Sequence, residues 1–355
     1  MFADRPYVSL EDPIEAESFA DDPVGFLRRF EDGAVFDEVQ GHPKLFSHLQ
    51  GLVDGDARLG RFILTGSQQF GLMENITQSL AGRVGRVELL PFDRGELRDA
   101  GQAPESLDLA VWRGGYPPIY DRPVDPAAWH AEYFATYVQR DVRQVLNVRD
   151  LRTFTQFVRL CAAHVGQEVN AQRWGNDLGL DRKTVRAWLS VLESSYVVFL
   201  LPSHQRSFRK RVVKRPKLYF YDSGLACRLV DITEPRQLAN HPLRGMLFEC
   251  WVLAELRKAR LHRGLPLNDA FWRSHDGLEV DVLAEEGLAL RPIEVKASAT
   301  PAPRLVRSVE RWSALAGDAA LPGAVIYGGD QRRGHRDVEF VPWSELDLWA
   351  AELLS

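Results

Sequence analysis

Ala34-Val35-Phe36-Asp37-Glu38 runs three apolar residues into two acids, with helical patterns on both sides. A short apolar run of this kind reads as a strand buried in a parallel sheet, its acids delivered at the carboxyl end. Tyr7–Leu10 before it and Arg61–Leu64 after it are further strand candidates, and Val84–Leu90 is a fourth. Between them Asp22–Phe30 has helical spacing through Phe26, Leu27 and Phe30, and Leu45, Leu49, Leu52 and Val53 mark a second helix. Strands alternating with helices imply βαβ units, so an α/β fold with a mainly parallel sheet is predicted here.

The pattern changes from Trp112. Arg113-Gly114-Gly115-Tyr116-Pro117-Pro118 reads as a loop, followed by helices over Trp129–Leu146 and Leu151–His164. Ala171–Leu178, a Gly179-Leu180-Asp181 turn and Arg182–Ser194 have helix-turn-helix spacing, with Val185, Trp188, Leu189 and Leu192 inward. Strands at Tyr196–Leu201 and Lys217–Tyr221 would complete a winged-helix module. A third region from Leu243 holds a helix (Met246–Ala259), strands at Phe271, Val280–Leu283 and Ile293–Lys296, a helix near Leu305–Leu315 and a strand at Ala324–Tyr327.

Length and composition bound the function. At 355 residues and 40.2 kDa the chain has room for two or three domains. With 45% hydrophobic and 26% charged residues it is ordinary globular protein, not disordered, collagenous or coiled-coil. Its longest apolar runs fall far short of the ~20 residues that span a bilayer, and the opening MFADRPYVSLEDP has no leader pattern, so no membrane contact is expected. Cys161, Cys227 and Cys250 lie far apart, which argues against a disulfide framework or a cysteine zinc site and for a reducing cytoplasm. The net charge of −5 does not attract polyanions, yet Arg206–Lys217 collects Arg206, Arg209, Lys210, Arg211, Lys214, Arg215 and Lys217. That strip is either a phosphate-binding patch or a solvated hairpin surface. Arg182, Lys183 and Arg186 on the second helix, with Arg209, Lys210 and Arg211, are the candidate DNA contacts.

Two constellations carry chemistry. Asp37-Glu38 at the end of an apolar strand has the form of a Walker B element, in which Asp37 would hold Mg²⁺ and Glu38 would polarise water for attack on a γ-phosphate. Thr65 and Ser67, at the end of the neighbouring strand, could read that phosphate or simply cap a helix. No Gly-Lys dipeptide occurs in the chain, so the usual P-loop is missing from it. The second constellation is Glu279-Val280-Asp281 followed by Ile293-Glu294-Val295-Lys296. Alternate side chains of a strand share a face, so the acids and Lys296 would converge if the two strands are neighbours. The Glu285-Glu286-Gly287 connection makes an antiparallel hairpin the expected pairing. Such a face would hold a divalent cation and hydrolyse phosphodiesters, with Glu249 an additional acid; the alternative is a surface ion pair. There is no HExxH, GxSxG or GxGxxG, and each of the nine histidines is expected at the surface or in a cap.

Together these segments resemble the prokaryotic AAA-type P-loop ATPases that carry a C-terminal domain of unknown function with a restriction-endonuclease-like, PD-(D/E)XK core. The resemblance runs in order through YVSLEDP, AVFDEVQ, RFILTGS, SLAGRVGRVELLPF, RGGYP, YVQRDV, DLGLDRKTVRAWLSVLE, PKLYFYDSGLA, GMLFE and GLEVDVL…PIEVKAS. It implies ATP and Mg²⁺ as cofactors, Walker B roles for Asp37 and Glu38, a sensor role for the Thr65/Ser67 turn, and Arg83 or Arg140 as a phosphate-contacting arginine. It implies an AAA-like domain over 1–110, a helical linker over 111–150, a winged-helix-like module over 151–222 and a nuclease-like domain over 223–355. Members carry a strand and P-loop ahead of the segment that opens here. The expectation is therefore either a reading frame that starts upstream of Met1 or a copy without its nucleotide cradle, and weak or absent ATP binding by this chain. DNA is the expected partner and oligomerisation is left open. The competing expectations are a non-catalytic DNA- or partner-binding protein and a metal-dependent nuclease independent of ATP.

Overall fold

A computed structural model describes residues 4–56, 58–66, 79–138, 150–204 and 214–354. The chain divides into two compact units, residues 1–88 and 89–355.

The first unit is the expected α/β layer. Its elements are β1 (Tyr7–Ser9), α1 (Pro13–Asp21), α2 (Pro23–Arg28), β2 (Ala34–Asp37), α3 (Pro43–Asp54) and β3 (Phe62–Leu64). The three strands form one parallel sheet in the order β1-β2-β3, with Ser9 opposite Asp37 and Phe36 opposite Leu64. Helix starts are written in the sequence: the Asp12 and Asp22 carboxylates accept the Ile14 and Gly25 amides, and a proline opens each first turn. Phe19, Phe26, Phe30, Phe36 and Phe46 fill the core between helices and sheet. The expected strand at Val84–Leu90 does not form: the stretch is irregular, with Val87 82% and Leu89 90% exposed. Its apolar residues give strand propensity, but a strand persists only where a neighbour takes its backbone groups, and among the described residues none does.

The second unit begins with helices α4 (Arg94–Asp99), α5 (Leu107–Arg113), α6 (Pro118–Asp121), α7 (Pro126–Tyr137), α8 (Leu151–Ala163), α9 (Ala171–Leu178) and α10 (Arg182–Ser194). The helix-turn-helix pair is as read from sequence. Gly179 closes α9 in the left-handed region, Asp181 caps α10 through the Thr184 amide, and Val185, Trp188, Leu189 and Leu192 are buried. An antiparallel pair follows, β4 (Val198–Leu201) and β5 (Lys217–Phe220). After α11 (Ser223–Leu229) and α12 (Pro235–Leu238) comes α13 (Arg244–His262), buried nearly all round from Leu247 to Arg260.

The large sheet contains β6 (Ala270–Arg273), β7 (Glu279–Glu286), β8 (Ala289–Lys296), β9 (Gly323–Tyr327), β10 (Arg333–His335) and β11 (Val338–Pro342) in the order β10-β11-β9-β8-β7-β6. α14 (Arg307–Ala316) packs on it, and α15 (Leu346–Leu353) packs on α13. β8, β9 and β11 run parallel, while β7 and β8 form the expected antiparallel hairpin. Gly287 takes a φ of 63° at its turn.

One loop explains a sequence signature. In Arg113-Gly114-Gly115-Tyr116-Pro117, Gly114 has a φ of 68°, and a Cβ there would fall 2.3 Å from the Asp222 carboxylate. A Cβ on Gly115 would fall 2.3 Å from the Phe92 carbonyl. The buried Asp222 accepts the Gly115 amide at 2.7 Å and, as cap of α11, the Leu225 amide at 2.8 Å. His130 lies in this latch at 1% exposure, 3.9 Å from Asp222, which corrects the expectation of a surface or capping histidine. A histidine buried among aromatic rings (Tyr116, Trp129) leaves no sequence trace beyond an apolar helix face. All three cysteines are buried and free. Among the described residues no helix is long and apolar enough to cross a membrane.

Candidate functional site

The hairpin β7–β8 builds the site. Its ladder pairs Val282 with Ile293, which sets Asp281 opposite Glu294 one step further along. Val280, Val282, Ile293 and Val295 are buried, and the polar residues between them share one face. The Asp281 carboxylate is fixed by the Val295 amide at 2.9 Å. Lys296 Nζ then stands between Asp281 Oδ2 at 3.4 Å and Glu294 Oε1 at 2.5 Å. Asp281 and Glu294 are each 6% exposed, whereas the Lys296 side chain keeps 36% of its surface in water. The structure thus brings Asp281, Glu294 and Lys296 together.

Glu249, on α13, makes its contacts with a different lysine and reaches these three only through its charge. It is 3% exposed, accepts the Tyr219 hydroxyl at 2.5 Å and lies 3.3 Å from Lys217 Nζ. Lys217 Nζ also lies 2.5 Å from Glu279, whose other oxygen faces Arg273 at 3.5 Å. Lys217 is 4% exposed, so the cationic strip read from sequence loses this member: it is a buried ion-pair partner. The sequence assigns it a face of its strand but not its burial. Lys217 opens the apolar run Leu218-Tyr219-Phe220, and period-two alternation puts it on the Tyr219 face.

Burial sets the electrostatics. Loss of water, and then the charge of Asp281, push the Glu249 carboxyl up to about 7 and that of Glu294 up to about 8. Burial disfavours the Lys217 ammonium, but Glu249, Asp281 and Glu279 hold it charged beyond its ordinary range. Asp281 and Glu294 do the same for Lys296. Glu294 Oε2 is buried with no hydrogen-bond partner; the Ser308 hydroxyl is near enough to ease the shift without satisfying that oxygen. An orphaned carboxylate oxygen beside a second carboxylate suits a hard divalent cation.

Among the described residues the one group of three ligating side chains with all ligand atoms within 4.8 Å lies elsewhere, at Asp93, Glu96 and His262. Those atoms are committed to a helix start. Asp93 and Glu96 form the capping box of α4, and His262 Nδ1 is 2.9 Å from Asp93.

In the first unit Asp37 is engaged on both oxygens, by the Tyr7 hydroxyl at 2.5 Å and by the Thr65 hydroxyl. Glu38 sits in the left-handed region at φ 56°, a strained position for a side chain of its size, and accepts the Gln40 amide group. Arg83 is paired with Asp54. Asp37 keeps lone pairs beyond these two bonds, but with no Gly-Lys in the sequence the described residues do not supply the amide-and-lysine cradle that the phosphates of ATP need. Ser67, Arg140, Arg206, Arg209, Lys210 and Arg211 lie outside the described residues. Arg182, Lys183 and Arg186 lie on the exposed side of α10.

Comparison with known proteins bears on this arrangement. Residues 2–98 match a family described as "AAA domain", residues 104–236 a "Domain of unknown function (DUF8612)", and residues 244–346 a "Domain of unknown function (DUF4143)". Lys217 and Tyr219 therefore come from one matched region, and Glu249, Glu279, Asp281, Glu294 and Lys296 from the next. The chain is 32% identical over 325 residues to an uncharacterized protein of Mycobacterium bovis, covering 91% of this chain and 70% of that protein. It matches an uncharacterized protein of Mycobacterium tuberculosis with the same identity and coverage. AAA domains as a class use nucleotide and Mg²⁺, so the first unit is ATPase-like. The chain belongs to the family of these mycobacterial proteins, an AAA-type, ATPase-like family, and here the AAA domain is followed by two domains of unknown function.

Proposed function

We propose that the acidic face of β7, β8 and α13 is a divalent-cation-dependent phosphodiesterase site acting on nucleic acid, carried on an ATPase-like protein. The observation that supports it most is the buried pair Asp281 and Glu294 bridged by Lys296, with Glu294 Oε2 unsatisfied. Asp281 and Glu294 would hold the ion; when bound, it would supply Lewis-acid polarisation of the phosphodiester and ionisation of water near neutral pH. The chain's own residues do the rest. The Val295 amide orients Asp281 before substrate arrives. Lys296, the exposed member, can leave its carboxylates and place its ammonium against the charge that grows on the phosphate. Glu249, buried and held by Lys217 and Tyr219, braces this face from α13. Arg182, Lys183 and Arg186, exposed on one helix, favour a polymer of phosphates. No step is assigned to ATP, because the described residues around Asp37 do not fit it.

The reading is tested with the full chain, labelled DNA and RNA, and Mn²⁺ or Mg²⁺. Cleavage that requires the metal and is lost in Lys296→Ala supports it. Absence of cleavage of either polymer with either metal overturns it.

A further inference from the structure

The acidic face is built twice over. Glu249 and Glu279 share the ammonium of Lys217, while Asp281 and Glu294 share that of Lys296. Each half is two carboxylates bridged by one lysine, but the halves differ in what their lysine can do. The Lys296 side chain is 36% exposed and can swing into water, releasing its pair. The Lys217 side chain is 5% exposed, starts from a residue of the β4–β5 ladder and lies with Nζ 5.3 Å from the centre of the Phe271 ring. The unsatisfied oxygen is on the Lys296 side: Glu294 Oε2 is orphaned, while the Glu249 oxygen nearest Lys217 is doubly engaged by Lys217 and Tyr219.

We infer that Lys217 is a built-in cation filling the place of a second metal ion, so that the site takes one divalent cation, at Asp281 and Glu294. This rests on the metal reading of the face and adds to it a stoichiometry and the residue that sets it. An ammonium can bridge two carboxylates, offsetting one of their charges while Arg273 faces Glu279, but it cannot activate water, so the Glu249–Glu279 half is structural and the Asp281–Glu294 half is the one that exchanges ions with solvent. A lysine delivered by the preceding matched region also makes that half incomplete unless β5 is packed in place.

Mn²⁺ binding to the full chain is counted by isothermal titration calorimetry and by the loss of free-ion electron paramagnetic resonance signal. The wild type is expected to bind Mn²⁺ in a manner lost in Glu294→Gln. Lys217→Met is expected to bind one ion more than the wild type, and that extra ion should disappear in Lys217→Met/Glu249→Gln. Lys217→Gln, which keeps a hydrogen-bonding group towards Glu249, serves the same count if Lys217→Met does not fold. A variant that folds only with Mn²⁺ present also supports the inference. Wild-type binding with no extra ion in either Lys217 variant overturns the inference and leaves the metal site standing. No Mn²⁺ bound by any of these proteins overturns both.

Discussion

Replacing Glu294 by Gln should change how stability depends on pH, and the direction follows from where its carboxyl sits. Its folded value is raised from 4.5 to about 8 by burial and by Asp281. The folded protein therefore keeps a proton that the unfolded chain gives up, and the contribution of this group to stability is fully present below about 4.5 and is lost as pH rises through about 8. A tenfold difference in proton affinity between the folded and unfolded chain is worth ~1.4 kcal/mol. Between pH 5 and pH 8 the wild type should therefore lose roughly 2–4 kcal/mol through this group, the lower figure applying if Asp281 and Glu294 share the proton. Gln has nearly the same shape and cannot ionise, so in Glu294→Gln that fall should vanish. Urea unfolding at pH 5, 6.5 and 8 with a chelator present measures it. Tryptophan fluorescence confines the signal to the second unit, because all nine tryptophans lie between Trp112 and Trp349. Parallel pH profiles for wild type and variant would refute the argument that Glu294 is held against its ionised form.

Three further outcomes are expected. Asp222→Ala removes the cap of α11 and the acceptor of the buried Gly115 amide, and should cost about 2–4 kcal/mol in urea unfolding; a loss below ~1 kcal/mol would mean the Gly114-Gly115 loop does not depend on it. If the exposed face of α10 touches phosphate, changing Arg182, Lys183 and Arg186 to Gln should weaken DNA binding and lower the slope of log affinity against log salt by about 2–3; an unchanged slope would remove this helix from the interface. Calorimetry should find ATP binding to the 355-residue chain weak or absent, and low-micromolar, Mg²⁺-dependent binding would contradict the reading that no phosphate cradle is present among the described residues.

Much of this architecture is legible because local and tertiary demands coincide. Ala34–Phe36 is apolar and short, and a parallel sheet buries such a strand. The helix pair around Gly179 announces itself by a left-handed glycine followed by an Asp cap. The β7–β8 hairpin follows from alternation on both sides of Gly287, and alternation alone sets Asp281, Glu294 and Lys296 on one face. What is not legible depends on neighbours distant in sequence. α1 buries only Phe19, so no apolar stripe marks it. Val84–Leu90 has a strand's composition without a partner strand among the described residues. β10, β11 and α15 extend beyond the last element read from the pattern, and β10 is too short and polar to carry a signal. Lys217 misleads because a run of charges reads as a solvated face; its burial comes from α13 and β7, more than thirty residues further on.

The most direct test of the central claim is an anomalous difference map from crystals of the full chain soaked in Mn²⁺. A peak is predicted between the carboxylates of Asp281 and Glu294, with Lys296 displaced towards solvent and Lys217 still between Glu249 and Glu279. No peak on that face, or a peak confined to Asp93, Glu96 and His262, would contradict it.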